Sequence, residues 1–326
     1  MSEAVYLTSC PGCGGADLIP VFGRETARHN SLARLASNTG EAAKYNDILR
    51  QFAQVTWTVC RHCALVFARR RPASAGCTDW YVPLFKLSEE RGYDVFPLPP
   101  EFVEGKRKGQ ETLFRHLLDT GCIKDGAKIL HIRCATGELL RLARQVKRAE
   151  VWGADFFPAC VRHANAQLGE SRVAEITEPE PDNPFAPRKF DLIISNHMIT
   201  HSHDPGLLLR RYHDWLSEGG LLVVYNEIDH TPFLRSFSAY RRGINFFHKQ
   251  LFTRVTFISL LRRCGFEPVH RDANMGNKSK LAKYMLMTFR KGRPCFPARQ
   301  DYRSSLRMMR AWQLRRQIGG FLRLTP

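Results

Sequence analysis

The feature that most constrains this fold is a regular alternation of short apolar runs and amphipathic segments between about residues 125 and 291. Short apolar runs between polar residues predict buried strands, and apolar residues at helical spacing predict helices. The predicted strands are 127–132, 150–155, 173–176, 190–195, 220–226, 266–271 and 284–289. The predicted helices are 138–146, 158–168, 205–216 and 253–264, with Thr253 as the N-cap of the last.

Strands that alternate with helices favour a mostly parallel sheet covered on both faces. The sequence therefore predicts a doubly wound α/β domain. Ligands of such domains bind where the strands end, at the carboxyl edge of the sheet. The loops to inspect follow Ile132, Asp155, Ser195 and Asn226.

Two closely spaced cysteine pairs precede this region: Cys10 with Cys13, and Cys60 with Cys63. A Cys-x-x-Cys turn directs two thiolates at one centre about 2.3 Å away, so two such turns supply the closed tetrahedral S4 site typical of structural zinc. The alternative is a chance occurrence of reduced, buried thiols. We interpret residues 1–75 as a zinc-binding module with four ligands and a helix-compatible insert at 26–52.

The other predicted domain boundaries follow from the positions of prolines and from the distribution of charge. Pro97, Pro99 and Pro100 mark a boundary within a predicted connector at 76–124. The α/β domain is predicted at 125–291, and residues 292–326 form a basic tail. No apolar signal stretch precedes the first cysteine pair, and no run is long enough to span a bilayer. We therefore expect a cytoplasmic protein without a transmembrane segment.

The charge balance is strongly positive. The chain has 49 Lys and Arg against 31 Asp and Glu, a formal net charge of +18. Residues 290–326 contribute ten Arg or Lys and one Asp, a net charge of +9. Such an excess favours an anionic partner for the tail, either nucleic acid or a membrane surface. The alternative is a helix at 302–318 that packs on the catalytic domain and leaves its arginines solvated.

Four segments give the α/β domain a family resemblance: HIRCATGELL (131–140), GADFFPACVRHA (153–164), the stretch 190–227, and HKQLFTRVTFISLLRRCGFEPV (248–269). Their order and motifs resemble class I S-adenosylmethionine-dependent methyltransferases. The resemblance implies a Rossmann-like, doubly wound sheet of seven strands, with S-adenosyl-L-methionine as the cofactor. It covers about residues 125–291.

The resemblance also implies which residues bind that cofactor. The family has an acidic residue and a Gly-x-Gly-x-Gly loop after the first strand. Here His131 takes the acidic position, Arg133 and Ala135 replace the first two glycines, and Gly137 remains. The cofactor-binding residues implied by the resemblance are Arg133, Cys134, Ala135, Gly137, Asp155, Phe156, Glu175 and Asn196. Asp155 is expected to accept hydrogen bonds from both ribose hydroxyls, and the substituted loop leaves a pseudoenzyme as an alternative.

A narrower resemblance links the two regions. The sugar C-methyltransferase subgroup carries an N-terminal zinc module with two Cys-x-x-Cys pairs, and places histidines in the acceptor pocket. His201 and His248 occupy those positions here, although the glutamate before the second histidine is Phe247. We predict His201 or His248 as the general base, because a histidine titrates near neutral pH. A metal site in the run His197, His201 and His203 is disfavoured, because only Asp204 lies at ligand spacing and it fits a helix start.

The predicted function is S-adenosylmethionine-dependent methyl transfer to a small-molecule or carbohydrate-linked acceptor. Methylation of RNA or protein is an alternative, suggested by the positive charge and by the use of zinc knuckles in macromolecular recognition. A non-catalytic binding protein with a degenerate loop is the third. Three of the site residues also have a plain structural alternative: Asp155 as a solvated strand-end carboxylate, and His201 and His248 as loop histidines or helix-entry contacts.

Overall fold

The computed structural model describes residues 4–23, 56–72, 96–176, 181–230, 248–270, 283–296 and 300–321. The predicted helical insert at 26–52 and most of the connector before residue 96 lie outside these ranges. None of the helices described is long and apolar enough to cross a membrane.

The described residues form six helices and thirteen strands. The helices are α1 (Pro100–Asp119), α2 (Glu138–Lys147), α3 (Pro158–Leu168), α4 (Pro205–Trp215), α5 (Arg254–Arg263) and α6 (Tyr302–Phe321). The first five strands are β1 (Ala4–Tyr6), β2 (Leu18–Gly23), β3 (Thr56–Cys60), β4 (Val66–Ala68) and β5 (Arg70–Pro72). The others are β6 (Lys128–Ile132), β7 (Glu150–Asp155), β8 (Val173–Glu175), β9 (Phe190–Asn196), β10 (Leu216–Asp229), β11 (Gln250–Leu251), β12 (Phe266–His270) and β13 (Lys283–Lys291).

The central sheet has seven strands in the order β12-β13-β10-β9-β6-β7-β8. Strands β6 to β10 pair in parallel, and β13 is antiparallel to both β10 and β12. β9 is buried from Leu192 to Ser195, as expected for a strand covered on both faces. The predicted α/β architecture is confirmed, and each strand predicted in this domain coincides with an observed one. β10 begins at Leu216 rather than 220.

Helix α1 is the main element that sequence analysis missed. It lies within the stretch interpreted as a connector, and it buries Leu113, Phe114 and Leu117. These side chains belong to the same core as Ile129 and Leu140 of the α/β domain. The first half of α1 is polar and contains two glycines, so its apolar spacing is visible only near its end. The stretch 76–124 is therefore more than a connector, because it contains a helix that packs into the core of the α/β domain.

The cysteine module, defined here as residues 4–23 and 56–72, carries most of a second sheet. Its strands pair in the order β11-β4-β3-β2, and β1 pairs with β5 in a separate ribbon. Strand β11 comes from the α/β domain: Gln250 and Leu251 pair antiparallel with Phe67 and Val66 of β4. The two regions thus share one sheet and a continuous apolar core.

The C-terminal helix α6 packs on the cysteine module rather than on the face of the α/β domain. The Ser305 hydroxyl donates to the Ala64 carbonyl at 2.8 Å, and Met309 is buried. Arg303, Arg307 and Arg310 are exposed. The predicted helix is present, but the expected packing on the catalytic domain is wrong, because its first part packs on the cysteine module. The anionic partner of the tail stays a prediction.

Candidate functional site

The four paired cysteines converge on one point. The Sγ atoms of Cys10 and Cys63 are 3.6 Å apart, as are those of Cys13 and Cys60. All four sulfur atoms lie within 4.8 Å of one another. A tetrahedral zinc site with bonds of about 2.3 Å requires sulfur atoms about 3.8 Å apart. The observed spacing fits zinc and leaves no position for a fifth ligand.

The backbone of the two cysteine turns is nearly the same. Gly14 donates to the Cys10 carbonyl and Ala64 to the Cys60 carbonyl, and both residues have a left-handed backbone, with φ of 74° and 62°. Amides two residues after Cys10 and Cys60 each approach the cysteine sulfur at 3.4 Å. N–H groups directed at sulfur stabilise thiolates, so both turns are suited to metal ligation.

The loop between β6 and α2, residues 133–137, keeps a glycine-type conformation without its glycines. Arg133, Ala135 and Gly137 have φ of 58°, 49° and 76°. A left-handed backbone costs a side-chain-bearing residue about 1 kcal/mol. Two residues bear that cost here, so packing and hydrogen bonds from the surrounding structure must hold the loop in place.

Three side chains supply those hydrogen bonds. The buried Asp155 carboxylate accepts from the Ala135 amide at 2.8 Å and from the Phe157 amide at 3.0 Å. Gln110 of α1 donates to the Cys134 carbonyl at 3.0 Å and accepts from the Leu139 amide at 2.8 Å. Asn196 donates to the Arg133 carbonyl at 3.2 Å. Asp155 still has lone pairs for a ligand, although burial raises the pKa of its carboxyl.

Arg133 is directed across the sheet edge toward the loop that follows β9. Its Nη1 atom donates to the His197 carbonyl at 3.0 Å. The neighbouring His131 is buried at the end of β6, and burial lowers its pKa to about 3. A neutral imidazole therefore stands where the family has a carboxylate, and Arg133 brings a positive charge to the same edge.

The other predicted cofactor residues have different surroundings. Cys134 is fully buried in the core, so only its main chain is available to a ligand. Phe156 is also buried. Glu175 is exposed at the end of β8, in register with Asp155 of β7. The carboxyl edge of the sheet thus brings Asp155, Glu175, Asn196 and the 133–137 loop together.

Gly137 provides a test of this packing. A Cβ at this position would lie 2.8 Å from the Ala164 Cβ, whereas a Cβ at Gly169 meets nothing within 4 Å. Both glycines have left-handed backbones, with φ of 76° and 70°. We expect Gly137→Ala to lower the free energy of unfolding by about 2 to 4 kcal/mol, and the control Gly169→Ala by about 1 kcal/mol. Urea denaturation measures both; equal losses would contradict the close α2–α3 contact.

A histidine cluster lies beside this loop. The cluster consists of His197, His201 and His248, whose ring centroids are 4.7, 5.2 and 5.0 Å apart. His197 follows β9, His201 lies in the next turn, and His248 precedes β11. His201 is 8% and His248 2% exposed. The structure therefore brings the two predicted base candidates into contact, together with a third histidine of the predicted run.

The surroundings disfavour a positive charge on these rings. Burial lowers the pKa of His197 to about 3, with a further contribution from the charge of Arg133. Burial also lowers the pKa of His201 and His248 well below the usual value, and each is lowered further by its cluster neighbours and by Arg133. The three rings are neutral at physiological pH.

A buried carboxylate supports the turn that carries His201. Glu227 of β10 is 0% exposed and accepts from the Ile199 amide at 2.7 Å and the Thr200 amide at 3.1 Å. The Thr200 hydroxyl also donates to it. Burial raises the pKa of Glu227. Among the residues described, Glu227 makes no ion pair within 4 Å.

The cysteine module reaches the cluster through backbone hydrogen bonds. The Ala68 amide donates to the Lys249 carbonyl at 2.8 Å, and the Lys249 amide donates to the Thr200 carbonyl at 3.0 Å. The Gln250 side chain donates to the Ser202 carbonyl at 2.9 Å. His201 and His248 are thus held between β4 of the module and β9 of the central sheet.

The roles of Gln110 and Glu227, and the membership of His197 in the histidine cluster, were not predicted from the sequence. Gln110 lies in the stretch interpreted as a connector, so nothing in its sequence context pointed to a loop contact. Glu227 had one available signal, since it follows directly after the apolar run of a buried strand. His248 is distant in sequence from His197, and only the topology brings them together.

The antiparallel strand β13 lies between β10 and β12, and this strand order is that of the class I methyltransferase fold. The loop after β6 and the acidic residue ending β7 lie at the carboxyl edge, where such folds bind ligands. The family comparison agrees with this class. Residues 106–271, about half of the chain, match the family described as "Methyltransferase domain", and the chain belongs to that family of S-adenosylmethionine-dependent enzymes.

Individual relatives are distant. The chain is 28% identical over 186 residues to phosphoethanolamine N-methyltransferase 3 of Arabidopsis thaliana, covering 54% of this chain and 36% of that protein. It thus spans about a third of that relative. Similar solved structures include a putative S-adenosylmethionine-dependent methyltransferase from Listeria monocytogenes (13% identity, 56% of this chain, 98% of that chain, TM-score 0.45). Another is the S-adenosylmethionine-dependent methyltransferase from Mesorhizobium loti (18% identity, 55% of this chain, 96% of that chain, TM-score 0.43).

Proposed function

We propose that this chain binds S-adenosyl-L-methionine on the 133–137 loop and transfers its methyl group to a small-molecule or carbohydrate-linked acceptor at the histidine cluster. The observation that carries the proposal is the left-handed backbone at Arg133, Ala135 and Gly137. A loop that keeps this shape at a cost in strain, and is held by Asp155, is suited to a ligand passing close to its backbone.

In this proposal Arg133, which stands in place of a glycine, provides a positive charge that binds the cofactor. Its guanidinium lies at the carboxyl edge, and the cofactor has a carboxylate on its methionine portion. A charge-assisted hydrogen bond between them is stronger than a neutral one. Asp155 and Glu175 would bind the ribose and the adenine side, and Asn196 would shape the pocket by holding the Arg133 carbonyl.

The proposed acceptor is small because the cysteine module packs against the segment that carries His248, through the pairing of β4 with β11. Zinc held by Cys10, Cys13, Cys60 and Cys63 would stabilise that module and take no part in chemistry, because its coordination is complete. Lys249 and Arg71 are buried near His203, whose pKa is lowered to about 2 by burial first and then by these charges. Such cations favour an acceptor with a phosphate or carboxylate. The named Arabidopsis relative is a phosphoethanolamine N-methyltransferase, which accords with a small acceptor.

Methyl transfer is an in-line displacement. The bond between the methyl carbon and the sulfonium sulfur breaks, its electron pair stays on sulfur, and the acceptor atom forms the new bond to carbon. An oxygen or carbon acceptor must also lose a proton. We propose that His201 or His248 accepts that proton, since both have an unprotonated ring nitrogen and lie at the proposed acceptor side. Burial lowers the pKa of both rings, so each is a weaker base than the near-neutral titration expected from the sequence would make it.

Isothermal titration with S-adenosylmethionine and with S-adenosylhomocysteine tests the proposal. We expect saturable one-to-one binding of both, and Arg133→Ala should weaken binding about 10-fold through loss of the carboxylate contact. Arg144, an exposed arginine of α2 paired with Glu170, provides the control variant Arg144→Ala, which should leave the affinity unchanged. Absence of binding at about 1 mM would exclude cofactor-dependent methyl transfer.

A second candidate is a binding protein that keeps the fold without catalysis. The observation in its favour is the pair of substitutions at His131 and Arg133, which puts a cation near the expected position of a sulfonium. Lack of cofactor binding in the titration above would favour this candidate. The alternative of RNA or protein methylation remains a prediction from the net charge, and nuclease-sensitive co-purification of RNA would support it.

A further inference from the structure

The histidine cluster contains more imidazole rings than a general base requires. Proton removal needs one ring nitrogen, yet three imidazoles from two separate segments converge, and a ligating nitrogen from each lies within 4.8 Å of the others. His197 and His201 are separated by three residues, a spacing common in metal sites, and the link of β11 to β4 brings in the third ring.

Unsatisfied nitrogen atoms also point to a ligand. Both ring nitrogens of His248 and the Nε2 atom of His197 are buried, and none has a hydrogen-bond partner among the residues described. His248 is only 2% exposed. A buried polar atom without a partner costs about 1 to 3 kcal/mol, so several at one point favour a group that contacts all of them.

We propose that His197, His201 and His248 bind one divalent transition-metal ion, in a site separate from the four cysteines. Three imidazoles suit zinc, iron, cobalt or nickel, and a site with three protein ligands keeps a coordination position open. Bonds of about 2.1 Å at tetrahedral angles require nitrogen atoms about 3.4 Å apart. The ligating nitrogens already lie within 4.8 Å of one another, and they would move to the shorter spacing when the ion binds.

The charges around the site indicate what fills the open position. Arg133 lies near all three rings and Lys249 near His201, and both oppose a cation. Glu227, in contrast, is a buried carboxylate that accepts from the turn carrying His201. One carboxylate leaves the ion with excess positive charge. An acceptor that binds through an anionic oxygen, such as a carboxylate or an ionised hydroxyl next to the methylated atom, would offset it.

This role for the ion rests on the proposed function, whereas the binding of the ion does not. In this arrangement His201 and His248 act on the acceptor through the metal rather than as a free base. The acceptor class is thereby narrowed to small molecules that present an oxygen donor beside the position that is methylated.

The test is a cobalt titration of the full chain after its cysteine site has been loaded with zinc. We expect one further equivalent of Co2+, with d–d absorption and without the intense thiolate-to-cobalt charge transfer that a cysteine site gives. His248→Gln and His197→Gln should each weaken this uptake at least about 100-fold, because each removes one of three ligands. His203→Gln, in the same run but outside the cluster, is the control and should bind cobalt as the wild type does.

The wild-type result alone decides the proposal if a variant fails to fold. No second equivalent, or a second equivalent that both cluster variants retain, would overturn it. Cofactor titration on the same samples separates the two proposals. Cobalt uptake without cofactor binding would leave the metal site standing and refute methyl transfer, whereas cofactor binding without cobalt uptake would refute the metal site alone.

Discussion

Cys60→Ser is expected to remove the hydrogen-exchange protection of the segment 249–251 while S-adenosylmethionine binding stays within a few-fold of wild type. A structural zinc site contributes about 10 kcal/mol to the folding of a small module, and loss of one thiolate forfeits most of it. β4 holds this segment through the Lys249 carbonyl, which accepts from the Ala68 amide, and through its pairing with Gln250 and Leu251, so the segment should open with the module. The loop at 133–137 is held instead by Asp155 and Gln110, outside the module.

Hydrogen exchange monitored by mass spectrometry provides the measurement, and it needs no known acceptor. We expect protection at 249–251 to fall at least about 100-fold, with protection in β6 and β7 unchanged. Cys295→Ser removes an exposed thiol that is not one of the four clustered cysteines and should change neither region. Equal loss of protection in β6 and in β11 would show that zinc stabilises the whole chain and would contradict a role confined to the acceptor side.

Asp155→Asn is expected to weaken cofactor binding at least about 100-fold. Both carboxylate oxygens accept backbone N–H groups, from Ala135 and from Phe157. An asparagine presents an NH2 group to one of these donors, so the loop loses a hydrogen bond and the ribose that is proposed to bind there would lose a charged acceptor. The effect on binding should therefore exceed that of any single hydrogen bond.

Asp191→Asn is the matched control for this experiment. The Asp191 carboxylate also accepts a backbone N–H, from Lys128 at 2.9 Å, but at the opposite edge of the sheet and exposed to solvent. We expect it to leave the cofactor affinity unchanged and to reduce stability by no more than about 1 kcal/mol. If both variants bound the cofactor equally well in isothermal titration, Asp155 would be a structural residue of the loop and not a cofactor ligand.

The strands were predictable because each is a short apolar run with polar ends, and burial on both faces requires that pattern. The start of β10 was missed because Ser217, Gly219 and Gly220 resemble a turn, although Leu216 pairs with Phe190 before the strand bulges. Helix α1 was missed because its polar first half masks its periodicity. Local sequence carries this information only where the apolar pattern is continuous.

The site was predictable only in part. The cysteine pairs were predicted from their spacing, and Asp155 and the loop positions from the family resemblance, because each of these is a local motif. The histidine cluster depends on a loop, a turn and a distant segment that the β4–β11 pairing brings together. Metal ligation within the His197 run was disfavoured from sequence because His248 could not be placed there without the topology.

The two-residue strand β11 sets a limit on how this chain can be recombined. It contributes a strand to a sheet that otherwise belongs to the cysteine module, so the module is not an interchangeable attachment. A hybrid carrying the corresponding module of another methyltransferase would need a β4 edge in register with Gln250 and Leu251. An exchange of acceptor preference between such enzymes should therefore require that the module and the 248–251 segment are transferred together.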